Sequence, residues 1–374
     1  MNPAATVARL LALCRKELLI ILKDPANRIL LVVPIVLQSL VFGYAATYDL
    51  KHATYALLDQ SHGAASTQLA ARLDASGVFE RTATLRNEAD IAPTIDAQQA
   101  LAVVHIGPRF DQLLQQGQPA PVQVIVDARN SATANNALAY LAGIVDQFNA
   151  QWRRQHGMAG PPVVIDTRAW YNPNLDTRWY MLPALIAALS MIQTLMLTAL
   201  SVAREREQGT FDQLLVAPYT PTEIMVGKAI PPILVGLTQS AFILLVSVFW
   251  FRIPFSGSLA ALFAGLLLFT TAIVGVGLSI SALSATMQQA MLYAFILIMP
   301  LMLLSGLATP VENMPQPMQW FTAVNPLRYG IDLVHRIYLE GSGLAPLWND
   351  TLPLLAISAV TLPLAAWLFR HRLA

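Results

Sequence analysis

Long apolar runs alternate with polar stretches along this chain. Each run has about 20 residues, roughly the length that crosses a hydrocarbon core about 30 Å thick. The pattern therefore predicts an α-helical polytopic membrane protein with six transmembrane helices. The predicted spans cover residues 29–48, 180–202, 229–251, 258–281, 289–309 and 351–369.

The chain before the first span has the pattern of an amphipathic helix. Between residues 4 and 23, apolar residues recur at spacings of three and four, and an Asp-Pro pair ends the pattern. Such a helix can lie in the lipid headgroup layer. We interpret residues 1–28 as a cytoplasmic interfacial helix rather than a cleaved signal peptide, whose charged and apolar regions are shorter. The basic side of the helix consists of Arg9, Arg15, Lys16 and Lys23.

Residues 49–178, between the first two spans, have the composition of a soluble domain. Charged residues, Gln, Asn and Gly return, and strand-like and helix-like patterns alternate. That alternation predicts a compact α/β domain of roughly 130 residues, a usual domain size. Strands are predicted at 55–58, 78–85, 101–106, 122–126 and 163–165, and helices near 64–75, 91–99, 108–116 and 132–152.

A charged stretch, residues 204–228, separates the second and third spans. The helix of the second span is expected to stop at Gly209, because glycine commonly closes helix C-termini. Thr210 then begins a short amphipathic helix that Pro218 ends, and Thr220 caps the helix of the third span in a capping box. The stretch is either a lever on the membrane surface that another protein moves, or a solvated loop.

Residues 310–343, between the last two spans, form a second unusual stretch. Asn325 is predicted to cap a helix whose first residue is Pro326. Asp332 and Arg336 are four residues apart on that helix and can pair. Two short helices hinged there would re-enter the outer half of the membrane, where irregular backbone must be buried in protein or line a cavity. The alternative is an ordinary interfacial helix with aromatic anchors.

The composition agrees with a membrane protein that carries one soluble domain. Apolar residues make up 55% of the chain and charged residues 12%, whereas soluble domains carry roughly 25% charged residues. A net charge of +1 gives no indication of a nucleic-acid partner. The single cysteine, Cys14, predicts neither a disulfide framework nor a cysteine metal site.

Basic residues are distributed unequally between the two sides of the predicted membrane. If the N-terminus is cytoplasmic, ten Lys and Arg residues fall on that side and three in the short outer loops. The positive-inside rule then places both termini and residues 204–228 in the cytoplasm. The 49–178 domain is expected outside, in the periplasm, with the chain in a bacterial inner membrane. The inner set is Arg9, Arg15, Lys16, Lys23, Arg28, Arg204, Arg206, Lys228, Arg370 and Arg372, and the outer set is Arg252, Arg328 and Arg336.

The predicted spans contain no Asp, Glu, Lys, Arg or His. A carrier driven by protons or ions usually keeps a titratable residue within the membrane. Gly227-Lys228 does not complete a phosphate loop, because Ala229 follows and no glycine stands five residues earlier. No catalytic constellation is apparent either. Uphill transport would therefore need a partner that supplies the energy.

Two motifs carry a resemblance to a known transporter family. They are Glu205-Arg206-Glu207-Gln208-Gly209-Thr210, followed by Leu214, Leu215, Pro218 and Gly227-Lys228, and Asn325-Pro326-Leu327-Arg328-Tyr329, followed by Asp332, Arg336 and Gly341. The first resembles the coupling-helix region, and the second the outer re-entrant helices, of type-2 ABC exporter permeases. The chain is similar over essentially its whole length to the bacterial multidrug-export kind, close to the enterobacterial Ybh and Yhh types.

This resemblance implies a permease subunit without a nucleotide site of its own, with six spans in which residues 179–374 carry the last five. The implied partners are a second permease, identical or paralogous, a cytoplasmic ABC ATPase that holds ATP and Mg, and often a periplasmic adaptor and an outer-membrane channel. The chain itself would bind no cofactor, metal or nucleic acid. The implied ATPase-coupling residues are Glu205, Arg206, Glu207, Gly209, Thr210, Phe211, Leu214 and Leu215, and the outer re-entrant residues are Asn325, Pro326, Arg328, Tyr329, Asp332 and Arg336.

In the resulting hypothesis, closure of the ATPase subunits grips the helix at 210–217 through its apolar residues, while charged residues 205–207 meet the rim. An amphipathic or drug-like substrate then leaves outward. One alternative is an ion-coupled secondary efflux carrier, which would need a titratable residue in the membrane. Another is a non-transporting sensor or scaffold whose 49–178 domain binds something outside. The residues leave the substrate and the composition of the permease pair open.

Overall fold

The computed structural model of the chain describes residues 3–23, 25–45, 52–129, 131–157, 176–211, 216, 219–343 and 345–371. The chain divides into two compact units, Met1–Thr47 with Ala169–Ala374, and Tyr48–Arg168. We refer to them as the helical unit and the α/β unit. Each has its own hydrophobic core.

The described residues form thirteen α-helices in the two units. A π-helical segment, Val246–Trp250, extends α8. The helices are α1 (Pro3–Lys23), α2 (Pro25–Ala45), α3 (Ala64–Asp74), α4 (Ile91–Asp96), α5 (Phe110–Gln115), α6 (Ser131–Gln155), α7 (Thr177–Glu207), α8 (Pro221–Leu245), α9 (Leu259–Leu283), α10 (Met287–Leu303), α11 (Gln316–Thr322), α12 (Pro326–Tyr338) and α13 (Trp348–His371).

Four helical stretches are long and apolar enough to cross a membrane. They are Thr177–Glu207, Thr222–Trp250, Leu259–Leu283 and Ala345–His371. Two further apolar helices, Leu31–Tyr44 and Met287–Leu303, are shorter. All six predicted apolar runs are therefore largely helical where the structure describes them, and four of them reach the length of a span.

Helix α7 forms the centre of the helical unit. It packs against α8, α9, α10 and α12. Its residues from Leu182 to Met191 are all buried. A helix that is apolar on all sides is stable only when neighbours cover it. The position of α7 follows from that requirement.

Small residues bring α9 close to two neighbouring helices. A Cβ atom added at Gly277 would lie 2.7 Å from the Cβ of Thr198 in α7, and one added at Gly275 would lie 2.8 Å from the Cβ of Thr361 in α13. Small residues at helix interfaces in membranes allow the backbones to approach closely. Helix α9 is therefore held between α7 and α13.

The α/β unit is built on a four-stranded sheet in the order β2-β1-β3-β4. Strand β1 pairs in parallel with β2 and β3, and β4 is antiparallel to β3. Successive side chains point to opposite faces of a strand, so Tyr55 and Leu57 join the larger core while Ala56 joins a smaller one on the other face. The strands are β1 (Ala53–Asp59), β2 (Phe79–Thr84), β3 (Ala102–Ile106) and β4 (Val122–Val126).

The predicted order of strands and helices in this unit is confirmed over the described residues. Helices α4 and α5 are shorter than predicted, because each closes at a C-cap, Ala97 and Gln116 respectively. Helix α6 begins at Ser131 and ends at Gln155, so it is slightly longer than the predicted 132–152. The predicted strand at 163–165 lies outside the described residues.

We expect Gly330→Ala in α12 to destabilise the helical unit. A Cβ atom at this position would lie 2.7 Å from the ring of Phe269 in α9, and both residues are buried. Overpacking of this kind costs about 1–3 kcal/mol. Thermal unfolding of the purified protein should show a lower midpoint. Gly343→Ala is the matched control, since no heavy atom lies within 4 Å of its added Cβ. Equal midpoints for the two variants would contradict close packing at Gly330.

Candidate functional site at the junction of α1, α7 and α8

Helix α7 ends where the glycine signal predicted. Gln208 is its C-cap, and Gly209 has a φ of 67°, in the left-handed region that glycine adopts without strain. The amide of Gly209 donates to the carbonyl of Arg206, and that of Thr210 donates to the carbonyl of Glu205 at 3.0 Å. The predicted helix end at Gly209 is confirmed.

Helix α8 begins with the predicted capping box. The Thr220 hydroxyl accepts a hydrogen bond from the Glu223 amide at 3.3 Å, and the Glu223 carboxylate accepts one from the Thr220 amide at 2.7 Å. Pro221 is the first helical residue. These reciprocal bonds satisfy two amides that the start of a helix leaves unpaired.

The segment between α7 and α8 is described only at its edges and at Val216. Phe211 and Val216 are both helical. Leu214, Leu215 and Pro218 lie outside the described residues, so the short helix predicted at 210–217 stays a prediction. The side chain of Val216 is 88% exposed.

A buried lysine joins the two helices that flank this segment. Lys228 of α8 is 1% exposed, and its Nζ lies 2.8 Å from Oε2 of Glu205 in α7 and 3.0 Å from Oε1 of Glu17 in α1. It also donates to the hydroxyl of Ser201 at 3.3 Å. Glu17 and Ser201 accept hydrogen bonds from the buried ammonium, and Glu205 adds an ion-pair contact to it.

Two further ion pairs fasten α1 to the same helices. Lys16 lies 3.0 Å from Glu205, and Arg9 lies 2.8 Å from Glu223. Arg9 and Lys16 are seven residues apart, about two helical turns, so they share one face of α1, and Glu17 lies at the edge of that face. We call Glu17, Glu205, Lys228 and Lys16 the α1–α7–α8 charge cluster.

Apolar contacts accompany these pairs. Leu13 of α1 is buried against Gly227 of α8, where an added Cβ would collide with the leucine side chain. The thiol of Cys14 lies 3.8 Å from the Gly227 carbonyl. Burial, and then the nearby charge of Glu17, raises the pKa of this thiol, which makes it a weak nucleophile at neutral pH.

Arg206 and Glu207 contact the ends of two other helices in the same unit. The Arg206 guanidinium donates to the carbonyls of Ala282 and Ser284, at 3.1 Å each, where α9 ends. The Glu207 carboxylate accepts a hydrogen bond from the Met287 amide at 2.7 Å, where α10 begins. A cation at a helix C-terminus and an anion at an N-terminus both complement the helix dipole. These neighbouring residues therefore tie the end of α7 to the turn between α9 and α10.

Phe211 points into the helical unit. It is buried in a small cluster with Val202, Ile224 and Phe369, and it meets Phe369 edge-to-face with ring centroids 5.8 Å apart. The guanidinium carbon of Arg206 lies 5.1 Å from the centre of the Phe211 ring. Phe211 therefore anchors the segment to its own chain, whereas the hypothesis had it facing the ATPase.

A cavity of about 650 Å³ lies beside the charge cluster. One part of its wall is charged or polar and the other part is apolar, so an amphipathic group would find both kinds of contact. Its polar lining includes Lys16, Glu17, Ser201, Arg204, Glu205, Gln208, Thr210, Tyr219 and Lys228.

The long apolar helices continue past the apolar runs that defined the predicted spans, and those runs contain no Asp, Glu, Lys, Arg or His. The extensions carry charged residues, among them Glu205 and Lys228. Their charges are tolerated because the carboxylates and the ammonium neutralise each other. The sequence reasoning missed Glu17, although its position as the single acidic residue of α1 is a visible signal.

Helix α1 has one side that faces its own chain and an opposite side that is exposed. Arg9 and Lys16 turn toward acidic residues of α8 and α7, as described above. The opposite surface of the helix is apolar and exposed, with Val7, Leu11 and Leu22 on it. An exposed apolar surface agrees with a helix in the interfacial layer of a membrane.

Asn325 and Pro326 form the predicted hinge at the other end of the helical unit. The Asn325 carboxamide oxygen accepts from the Leu327 amide at 3.0 Å, and its NH₂ group donates to the Leu301 carbonyl at 2.8 Å. Pro326 is the first residue of α12. The predicted cap is confirmed, and it also joins α12 to the end of α10.

Arg328 and Tyr329 hold α11 against the start of α12. Arg328 donates to the Thr322 hydroxyl at 2.6 Å, and the Tyr329 hydroxyl donates to the Ala323 carbonyl at 2.9 Å. Helix α12 buries the apolar side chains Leu327, Ile331 and Val334 in the helical core. Whether residues 310–343 re-enter the membrane or lie at its surface stays a prediction.

Arg336 has a better partner than the predicted one. Its Nη1 lies 4.0 Å from Asp332 but 3.1 Å from Asp350, which is buried near the start of α13. A third carboxylate, that of Glu340, lies 3.7 Å from Arg336. The arginine therefore joins α12 to α13. Among the described residues, no group of three or more His, Cys, Asp or Glu side chains could hold a metal ion.

Comparison with known proteins gives a consistent result over almost the whole chain. The family model described as ABC-2 family transporter protein matches residues 28–367. The chain is 40% identical over 368 residues to the probable multidrug ABC transporter permease YbhR of Escherichia coli K12, covering 97% of this chain and 99% of that protein. It is 30% identical over 377 residues to the probable multidrug ABC transporter permease YbhS of the same organism, covering 99% of each. It is also 32% identical over 279 residues to the inner membrane transport permease YhhJ of E. coli K12, covering 74% of each.

We expect Lys228→Met to destabilise the helical unit, because it leaves two buried carboxylates facing each other. Loss of one partner from a buried ion pair costs about 3–5 kcal/mol. The midpoint of thermal unfolding should fall clearly, and adding Glu17→Gln and Glu205→Gln should restore most of it.

The matched control for this prediction is Lys16→Met, which removes a half-exposed member of the same cluster. Water at the Lys16 end weakens its pair with Glu205 toward the value of exposed pairs, about 1 kcal/mol or less, so the midpoint should fall much less than in Lys228→Met. A Lys228→Met protein as stable as the parent would contradict the role assigned to the buried lysine.

Proposed function

This chain belongs to the ABC-2 transporter family, and from that premise we propose how it exports an amphipathic molecule. It is the membrane-spanning permease subunit of an ABC exporter in a bacterial inner membrane. ATP hydrolysis takes place on a partner ATPase, and a second permease completes the pathway. The observation that carries this function is the family match over residues 28–367.

The proposed topology has six spans, with α2 and α10 crossing the membrane together with the four longer helical stretches. Both termini and residues 204–228 lie in the cytoplasm, and the α/β unit is an extracytoplasmic domain inserted after the first span. The excess of basic residues on the proposed inner side supports this orientation. Residues 310–343 then lie at the outer surface, where exposed Trp320 and Phe321 suit the membrane interface.

In the proposed mechanism, the segment at 210–217 receives the motion of the ATPase. Its exposed part, represented by Val216, faces the partner, while Phe211 fixes the segment to the permease. Residues 205–207 pass the motion on, because they contact α1, α8, α9 and α10 within three positions. A ligand changes a conformational balance only through contacts that differ between the two states. The contact with the ATPase provides that difference here.

The proposed substrate is an amphipathic or drug-like molecule taken from the cytoplasm or the inner leaflet. The multidrug names of YbhR and YbhS support this class, and so does the half-polar cavity beside the charge cluster. A periplasmic adaptor and an outer-membrane channel are further proposed partners. ATP and Mg would be held by the ATPase.

We expect Glu207→Ala to uncouple the permease from its ATPase. The substitution removes the bond to the Met287 amide, so motion of the 210–217 segment no longer reaches α10. Permease-dependent ATP hydrolysis in the purified assembly should fall to the basal rate of the ATPase, with the subunits still associated. The control is Glu312→Ala, at an exposed carboxylate of the 311–313 turn. The assembly that contains this variant should hydrolyse ATP at the normal rate. Normal coupling in Glu207→Ala would refute the transmission path.

The proposed orientation predicts which cysteines react from outside the cell. In a Cys14→Ser background, Tyr140→Cys in the α/β unit should be labelled by a membrane-impermeant maleimide on spheroplasts. Val216→Cys should react only after the membrane is permeabilised. Both parent side chains are exposed within the chain, 44% at Tyr140 and 88% at Val216, and the assay uses the permease expressed without its ATPase so that position 216 is uncovered. Labelling of Val216→Cys in intact spheroplasts would reverse the topology.

A further inference from the structure

The α/β unit contains a cleft of about 840 Å³ between α6, strand β4 and the loop at 117–121. Its lining is mostly apolar. Pockets that bind drug-sized molecules have volumes of roughly 300–1,000 Å³ and similar walls with a few polar groups. The apolar lining includes Leu138, Leu141, Val145, Phe148, Val122 and Val124.

Aromatic side chains form one wall of this cleft. Phe148 stacks on Trp152 with ring centroids 6.0 Å apart, and Phe110 lies 6.4 Å from Phe148 on the other side. Flat aromatic surfaces favour ring systems, which pack on them in offset or edge-to-face arrangements. The wall therefore suits a ligand with an aromatic or other flat apolar body.

Trp152 contributes an apolar ring surface to the cleft. Its side chain is 8% exposed, and its indole Nε1, which has no acceptor among the described residues, is shielded from the open space. The polar contacts of a ligand must therefore come from other side chains of the lining.

The remaining polar groups at the cleft define the charge that a ligand can carry. Asn149 and Gln118 line it, and Arg153 is the one charged side chain among its described lining residues. With a cation and no carboxylate in the wall, the cleft favours an acceptor-bearing anionic head over a cationic one.

We propose that this cleft binds an amphipathic anion of drug size. Its apolar body lies against Phe148 and Trp152, and its head accepts hydrogen bonds from the Arg153 guanidinium. The inference concerns binding by the α/β unit alone. It therefore stands or falls independently of the proposed ATP-driven export.

The test is protection of a cysteine placed in the cleft of the full-length protein in lipid nanodiscs. Leu138→Cys lines the cleft, whereas Tyr140→Cys lies on the same helix outside its lining. The parent side chains are 38% and 44% exposed, and Cys14→Ser removes the native thiol. The reagent is a small cationic methanethiosulfonate, and the probe is 1-anilinonaphthalene-8-sulfonate. The probe should slow the modification of the cysteine at position 138 at least fivefold. It should change the modification rate at position 140 by less than twofold.

One substitution tests the assigned head contact. Arg153→Gln should raise the probe concentration for half-protection about tenfold, as expected for a lost bond to a charged acceptor, while leaving protection by the neutral N-phenyl-1-naphthylamine unchanged. Arg154→Gln, at the neighbouring exposed arginine that does not line the cleft, is the control and should leave both unchanged.

Three results would overturn the proposal. The first is that the probe protects the cysteines at positions 138 and 140 equally, and the second is that it does not protect the cysteine at position 138. The third is that the tetraphenylphosphonium cation gives half-protection at the same concentration as the anionic probe.

Discussion

The helical unit depends on one buried ammonium group. Lys228 meets carboxylates from α1 and α7 while it belongs to α8 itself. Removing a charge from water is so unfavourable that its partners must lie at definite positions. The three helices consequently have one alignment that satisfies all these groups. A one-residue shift of any helix would bury an unpaired charge.

The contacts of residues 205–207 extend this constraint through the unit. Glu205 reaches α1 and α8, Arg206 reaches the end of α9, and Glu207 reaches the start of α10. Each contact alone is modest. Together they make the end of α7 the point at which five helices meet, and Phe211 attaches the adjoining segment to it. A force applied to that segment would therefore act on most of the unit at once.

Local signals in the sequence predicted much of this fold. The end of α7 at Gly209, the caps at Thr220 and Asn325, and the strands of the α/β unit each depend on residues within one or two turns of each other. The charge cluster could not be predicted in that way, because Glu17 and Lys228 are 211 positions apart. Hydropathy also treated Lys228 as part of a polar linker, since it does not register that a charge is neutralised. The inward direction of Phe211 escaped for a similar reason, as its partner Phe369 lies near the other end of the chain.

The separation of Glu17 from its partner has a consequence for biosynthesis. During translation, α1 emerges from the ribosome first, and Glu205 and Lys228 follow only after the entire α/β unit. The helix must pass that interval without its counter-charges. Its exposed apolar surface offers a resting place in the headgroup region, where Arg9, Lys16 and Glu17 stay hydrated. Docking of α1 through these charges can therefore take place only after α8 has been synthesised.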